Sequence, residues 1–135
     1  MTSINLTREE AVQRSRMIEV DHYDVTLDLK YSDTHFLSTT KVSFTSQEIG
    51  STFIDLRAEE IQEVRLNGNP LPTESYNPTY GIPLSGLQVA DYTLEVTAKI
   101  PYSRTGEGLH RFVDPADNKV YLYTQFETAD AKRVF

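Results

Sequence analysis

Two polar side chains near the end of the sequence have types and spacing that suit the binding of a cation. Gln125 and Glu127 stand two residues apart, at the end of the alternating run 120–127. In a β-strand that spacing puts both on one face, together with Tyr121 and Tyr123. An amide and a carboxylate side by side can accept hydrogen bonds from an ammonium group. At about 4 Å and an effective dielectric constant of about 20, the charges attract by roughly 4 kcal/mol before desolvation.

The same pattern also fits an ordinary solvated strand face. The opposite face would then be the core face, formed by Val120, Leu122, Thr124 and Phe126. Most polar strand faces opposite a core are simply wet. The residues alone therefore leave both interpretations open, an ammonium site and plain surface.

The short motifs of common catalytic sites are missing from the sequence. There is no H-E-x-x-H, no G-x-S-x-G and no glycine pattern that binds phosphate or dinucleotides. His22, His35 and His110 lie far apart, with no closely spaced pair to begin a zinc site. We therefore expect no catalytic residue and no metal site within these 135 residues.

Composition and charge narrow the class of partner. The 135 residues are 39% hydrophobic, and 20 acidic against 13 basic residues give a net charge of −7. That sign is wrong for a phosphate backbone, so we expect no nucleic-acid partner. The N-terminus is polar, no apolar run reaches membrane-spanning length, and there is no cysteine. These features predict no membrane contact and a cytoplasmic location.

The elements that must position these residues are one short helix followed by strands. Thr7 and Glu10 form a T-x-x-E capping box, which predicts a helix over residues 8–15. Period-2 alternation predicts strands at 23–31, 36–45, 52–56, 80–84, 91–102 and 120–126. The inward residues of the first two are Tyr23, Val25, Leu27, Leu29 and Tyr31, and then Phe36, Val42 and Phe44.

Two local signals refine this pattern. Ile18 and Val20 are in the opposite phase to the strand that follows, which predicts a bulge near His22. Asn67-Gly68 predicts a tight hairpin between residues 64–66 and 70–71. Seven or eight short strands separated by turns indicate one all-β domain over residues 1–135, an antiparallel β-sandwich with a short N-terminal helix.

The segment GEGLHRFVDPADNKVYLYTQFETADAKRVF, residues 106–135, resembles the end of the N-terminal domain of aminopeptidase N-type zinc aminopeptidases, especially actinobacterial ones. The likeness extends through LTREEA, YDVTLDL, TFIDLRA, LNG and YSRTGEGLH, and so covers nearly the whole chain. T-Q-x-E followed by D-A-[KR]-R is its most specific part. The resemblance implies a saddle-like β-sandwich at the N-terminus of a longer enzyme. The thermolysin-like catalytic domain, with H-E-x-x-H, a further glutamate and G-x-M-E-N, is absent from these residues.

The resemblance also implies roles for the two polar residues. Gln125 and Glu127 match the family positions that line the first substrate pocket, where the glutamate binds the peptide's free α-amino group. The implied partners are a peptide N-terminus and the catalytic domain of the same polypeptide, which would hold zinc. This chain alone would be inactive and bind no zinc. The alternative is a free-standing β-sandwich binding module, or a scaffold relative that lost catalysis.

The final residues carry a separate expectation. A helix is predicted to start near Thr128, and a helix cut after so few residues is marginal in water. We expect Ala131, Val134 and Phe135 to form exposed apolar surface, and the segment to be frayed or ordered by a neighbouring copy.

Overall fold

A computed structural model describes residues 6–135, which begin with a capped helix, α1 (Arg8–Met17). The predicted capping box is confirmed. The Glu10 amide donates to the Thr7 hydroxyl at 3.2 Å, and the Thr7 amide donates to the Glu10 carboxylate at 3.0 Å. The helix ends where Ile18 adopts an extended backbone, slightly beyond the predicted end. Across residues 6–135, neither α1 nor any other helix has the length and apolar character needed to cross a membrane.

Strands make up most of the rest of the described chain. They are β1 (Ile18–Asp28), β2 (His35–Ser46), β3 (Gly50–Ile54), β4 (Glu60–Leu66), β5 (Asn69–Pro70), β6 (Ile82–Leu87), β7 (Ala90–Pro101), β8 (Gly108–Val113) and β9 (Val120–Gln125). Five form an antiparallel sheet in the order β1-β2-β7-β4-β5, and β3–β6 and β8–β9 form two-stranded sheets. The predicted all-β, antiparallel, sandwich-like fold with one short helix is confirmed.

The core lies on one face of the five-stranded sheet. In β2 the predicted inward residues Phe36, Val42 and Phe44 are all buried. The neighbouring strand β7 of the same sheet adds Leu94, Val96, Ala98 and Ile100, and β6 of the two-stranded β3–β6 sheet adds Ile82, Leu84 and Leu87. The opposite face of β2 and β7 is polar, with Lys41 and Glu95 paired at 3.8 Å. Apolar-in, polar-out alternation therefore holds for the central strands.

The two local turn and bulge predictions are confirmed. The pairing of β1 with β2 shifts register between Val20 and His22, where one extra residue is accommodated. Asn67 and Gly68 have φ values of 51° and 80°, the positive angles that a tight two-residue hairpin turn needs, and they join β4 to β5.

The predicted inward face of the first strand is wrong at three positions. Tyr23, Leu29 and Tyr31 are 45%, 42% and 44% exposed. The strand ends at Asp28, so Leu29 and Tyr31 lie beyond it. β1 is also an edge strand, and the opposing layer covers it only in part.

The predicted core face of the closing strand is also wrong. Val120 and Leu122 are 49% and 38% exposed, and Thr124 is exposed too. β9 pairs only with β8, and a two-stranded sheet has no second layer of its own to cover either face. Of the four predicted residues, Phe126 alone packs against the core.

The last residues are docked, contrary to the expected exposed apolar surface. A turn at 127–130 leads into one 3₁₀ turn, Ala131–Arg133, and Val134 beyond it is only 1% exposed. The Phe135 ring packs edge-on at 5.8 Å from the rings of both Tyr23 and Phe126. Val134 is buried and holds the segment against the sandwich. The prediction that Val134 would be exposed was therefore wrong.

Candidate functional site

Strands β8 and β9 form a hairpin that positions Gln125. The register pairs Phe112 with Tyr121 and His110 with Tyr123, and the rings of these pairs stack at 5.6 and 4.8 Å. Gln125 is the next residue on this aromatic face, at the base of the hairpin. The side chains of β9 thus lead along one face from two tyrosines to an amide.

Gly108 stands opposite Gln125 in the register, and the packing there requires a glycine. Its φ is +73°, and a Cβ atom would lie 2.9 Å from the Cβ of Arg133. Gln125 therefore has no cross-strand side chain beside it. The 3₁₀ turn packs closely against the start of β8.

Gln125 and Glu127 lie together at the end of β9, joined by a hydrogen bond. The strand ends at Gln125, and Glu127 is the first residue of the following turn. The Glu127 amide donates to Oε1 of Gln125 at 3.0 Å, and both residues are exposed. The two residues are adjacent, as predicted. They do not share a continuous strand face, because the strand ends at Gln125, and a local hydrogen bond holds them together instead. Their role in binding stays a prediction.

The acidic groups around Glu127 are already engaged. Asp130 accepts from Nε of Arg133 at 2.7 Å. A hydrogen bond from Thr105 lowers the pKa of Glu107. Within residues 6–135, by contrast, the Glu127 carboxylate has no hydrogen-bond or ion-pair partner. It is an uncompensated anion at the surface.

The turn that carries Glu127 is held at both ends. Phe126 packs against the core before it, and Val134 is buried after it. Within the turn the Asp130 amide donates to the Phe126 carbonyl at 2.9 Å. Beyond it, the Lys132 carbonyl accepts from the Arg57 amide at 2.7 Å. Glu127 therefore projects from a fixed backbone.

The hairpin itself is fastened to the sandwich by contacts that sequence reasoning missed. Ser103 bridges to β8, donating to the Leu109 carbonyl at 2.9 Å and accepting from the Arg111 amide at 3.1 Å. Leu109 is buried, and the Arg111 guanidinium reaches Asp33 at 3.5 Å and lies over the Tyr102 ring at 5.9 Å. Asp33 and Arg111 are far apart in the sequence, so no local pattern indicates their contact.

The three histidines do not converge. His22 bonds to Asp21 at 2.6 Å, His35 to Glu59 at 2.7 Å, and His110 stacks in the hairpin. Across residues 6–135 no three His, Asp or Glu side chains are grouped so that they could hold a metal ion. The described residues therefore offer no group of side chains that fits zinc, which the resemblance assigns to the catalytic domain.

The domain has a structural neighbour and a sequence relative among known proteins. The fold is shared with a solved structure, Legionella pneumophila aminopeptidase A in complex with aspartic acid, at a TM-score of 0.67 and 18% identity over 87% of this chain and 14% of that one. This likeness shows the all-β fold. The whole chain is also 48% identical, over 138 aligned residues, to aminopeptidase N of Streptomyces lividans. Over its full length the chain is thus similar to one part of that aminopeptidase N.

The extent of these matches limits what they establish. No family model matches the chain. The chain spans only 16% of the length of the Streptomyces relative. The activity, substrates and partners of the whole protein are therefore matters for proposal.

Proposed function

We propose that this chain is the non-catalytic N-terminal domain of an aminopeptidase, and that Gln125 and Glu127 bind the free α-amino group of its peptide substrate. The observation that carries the proposal is the exposed pair itself. A hydrogen bond of 3.0 Å holds the two residues together, and the Glu127 carboxylate has no partner within residues 6–135. The family resemblance at T-Q-x-E gives the same two residues this role.

The chemistry of the pair suits a terminal ammonium. Such a group offers three N–H donors, and the Glu127 carboxylate can accept from it with opposite charge. The Gln125 oxygen already accepts from the Glu127 amide but keeps a second lone pair. One short motif can therefore supply both a charged and a neutral acceptor.

Specificity for chain ends follows from the carboxylate. A substrate with a free N-terminus neutralises Glu127 when the site closes. A blocked or internal peptide leaves the charge desolvated and unpaired, which is costly. One well-placed anion can thus favour exopeptidase over endopeptidase cleavage.

Catalysis itself is assigned to the rest of the polypeptide. We propose that the zinc and the residues that act on the scissile bond lie in the catalytic domain, and that the 135 residues alone have no turnover. A cytoplasmic location remains a prediction from the sequence. If the longer polypeptide lacks both H-E-x-x-H and G-x-M-E-N, the alternative of a binding module or scaffold takes the place of this proposal.

The test is Glu127→Gln in the full-length protein, which keeps the side-chain shape and removes its charge. A charge-assisted hydrogen bond contributes roughly 1.5–3 kcal/mol, so kcat/KM on an aminoacyl anilide should fall about tenfold to a hundredfold or more. Gln125→Ala should cost less, because it removes a neutral acceptor. Metal content and Tm should barely change, since Glu127 is exposed.

Glu48→Gln is the matched control. Glu48 is an exposed carboxylate in the loop between β2 and β3. Its neutralisation should leave kcat/KM unchanged. If Glu127→Gln behaves like Glu48→Gln in both kcat/KM and Tm, Glu127 is ordinary surface and the proposal is wrong.

A further inference from the structure

A small apolar cavity lies beside α1, between the five-stranded sheet and the β3–β6 sheet. Its volume is about 70 Å³, and we call it the inner cavity. Its apolar wall includes side chains of the buried core, namely Val42, Phe44, Leu84 and Leu94. Arg14 and Thr52 line the same cavity. An apolar cavity with a few polar groups in its wall is the usual form of a small-molecule site.

The Arg14 guanidinium is a half-buried cation that lacks an acidic partner. It donates to the Phe53 carbonyl at 2.9 Å and lies over the Phe53 ring at 3.9 Å. No acidic side chain among residues 6–135 forms an ion pair with it. Burial lowers the pKa of Arg14, although a guanidinium remains charged at neutral pH. Because it has five N–H donors, it can still bind an anion.

The Thr52 hydroxyl is a second unsatisfied group in the wall of the inner cavity. Its Oγ1 atom is buried and has no hydrogen-bond partner in the described part of the chain. A buried hydroxyl without a partner destabilises a fold, so such groups are uncommon. An unpaired cation and an unpaired hydroxyl therefore line one apolar cavity.

The surroundings select the charge of the anion. A larger outer cavity of about 420 Å³ shares Arg14, Thr52 and Phe53 with the inner one. It is also lined by Glu10, whose carboxylate accepts from the Thr7 amide at 3.0 Å. A second negative group and a net charge of −7 disfavour a multiply charged anion such as phosphate. A single carboxylate remains, and its shape matches the planar guanidinium.

We propose that the inner cavity binds a carboxylate that carries a short branched alkyl group. The alkyl group fills the apolar part of the cavity, and the carboxylate accepts hydrogen bonds from the Arg14 guanidinium and the Thr52 hydroxyl. A free short-chain acid and an apolar amino acid both have this chemistry. The ammonium group of an amino acid would lie in the outer cavity, which Glu10 lines.

Only the amino-acid source rests on the proposed function, because an aminopeptidase releases free amino acids. The site itself uses neither Gln125 nor Glu127. It would therefore be a second place on this domain where a small molecule binds, separate from the proposed amine-binding pair.

An NMR titration of the 135-residue chain tests the site, with the amide signals of Arg14, Thr52 and Phe53 as reporters. The probe is isovalerate. Isoamyl alcohol keeps the alkyl group without the charge, and acetate keeps the carboxylate without the branched chain. We expect saturable shifts with isovalerate at a Kd of about 1 mM, which is typical of so small a ligand. Both control compounds should bind at least about tenfold more weakly.

Three variants separate ligand binding from scaffold effects. Arg14→Gln should weaken isovalerate binding at least about tenfold, because it removes the charged donor. Thr52→Val keeps the side-chain shape and should weaken binding about threefold to tenfold. Its Tm should stay the same or rise, since the hydroxyl has no partner to lose. Arg16→Gln is the matched control, because Arg16 is exposed on the same helix, and its Kd should equal that of the wild type.

Leucine is titrated in parallel to identify the source of the carboxylate. Binding of isovalerate without leucine assigns the site to free acids, whereas binding of leucine assigns it to amino acids. Binding of neither would overturn the proposal, and so would equal affinity for isoamyl alcohol. Wild-type affinity in both Arg14→Gln and Thr52→Val would overturn it as well.

The full-length protein provides a second measurement that does not require the 135 residues to fold alone. Equilibrium dialysis with isovalerate should show the same loss of affinity in Thr52→Val. Glu127→Gln should leave isovalerate binding unchanged. Lost binding in Thr52→Val with unaltered Glu127→Gln kinetics would therefore support this site and contradict the amine-binding role. The reverse result would contradict this site alone.

Discussion

The substitution Val134→Ala measures how firmly the last residues of the chain are docked. Val134 is 1% exposed and belongs to the main hydrophobic cluster, although it follows a single 3₁₀ turn near the end of the chain. If the segment were frayed, as its short helical pattern suggests, Val134→Ala would cost nothing. If it is docked, the substitution leaves a cavity in the core.

The magnitude follows from the burial. Val134→Ala removes two methyl-sized groups, and each contributes about 0.8 kcal/mol when fully buried. The cavity adds to this, because the surroundings relax only in part. We expect the free energy of unfolding to fall by about 2–3 kcal/mol. For a domain of this size that corresponds to a Tm lower by about 6–12 °C.

Urea unfolding of the isolated chain provides the measurement. The midpoint should shift while the m-value stays constant, which indicates lost stability and not a changed denatured state. Ile49→Ala is the control, because Ile49 is 71% exposed and should change stability by less than about 0.5 kcal/mol. A Val134→Ala loss as small as that of the control would refute the docked segment.

Two further predictions concern the scaffold. A Cβ atom at Gly81 (φ +79°) would lie 2.0 Å from a strand carbonyl oxygen, whereas one at Gly86 (φ +67°) meets open space. Gly81→Ala should therefore cost well over about 2 kcal/mol and Gly86→Ala only about 1 kcal/mol in urea unfolding, and equal losses would contradict the clash. The Tyr76 hydroxyl bonds to two backbone groups at 2.8 and 2.9 Å, so Tyr76→Phe should cost about 1–3 kcal/mol. Because burial raises the pKa of Tyr76, wild-type stability should decline as pH rises from the unfolded value of about 10 through the folded pKa. Tyr76→Phe should make that decline shallower without abolishing it, because the pKa values of Tyr102 and Tyr121 are raised as well, and a flat wild-type profile above about pH 9 would contradict it.

Local sequence patterns predicted the features that local forces determine. The Thr7–Glu10 capping box, the bulge at His22 and the Asn67-Gly68 turn each depend on residues within a few positions of one another. The inward residues of β2 and β7 were also predictable, because these strands lie inside a five-stranded sheet and alternate cleanly. The adjacency of Gln125 and Glu127 was predicted from their two-residue spacing and from the T-Q-x-E motif.

Long-range contacts account for what the sequence did not predict. Alternation shows which residues share a face of a strand, but it does not show whether another layer covers that face. Leu122 was therefore predicted to be a core residue, although it is exposed on β9. Val134 was expected at the surface because its burial depends on partners distant in the sequence. The Arg111–Asp33 pair that orients the hairpin has no local signal for the same reason.

The central pairing of β2 with β7 determines the order in which the domain can form during synthesis. β2 pairs along its whole length with β7, from His35 opposite Pro101 to Ser46 opposite Ala90. β1 and β2 can form a hairpin early, but the other edge of β2 stays open until residues 90–101 have left the ribosome. Closing so long a loop is entropically costly, and non-local pairing of this kind slows folding. Until then the nascent chain carries an unpaired edge on a strand rich in apolar residues, and such an edge is prone to aggregate.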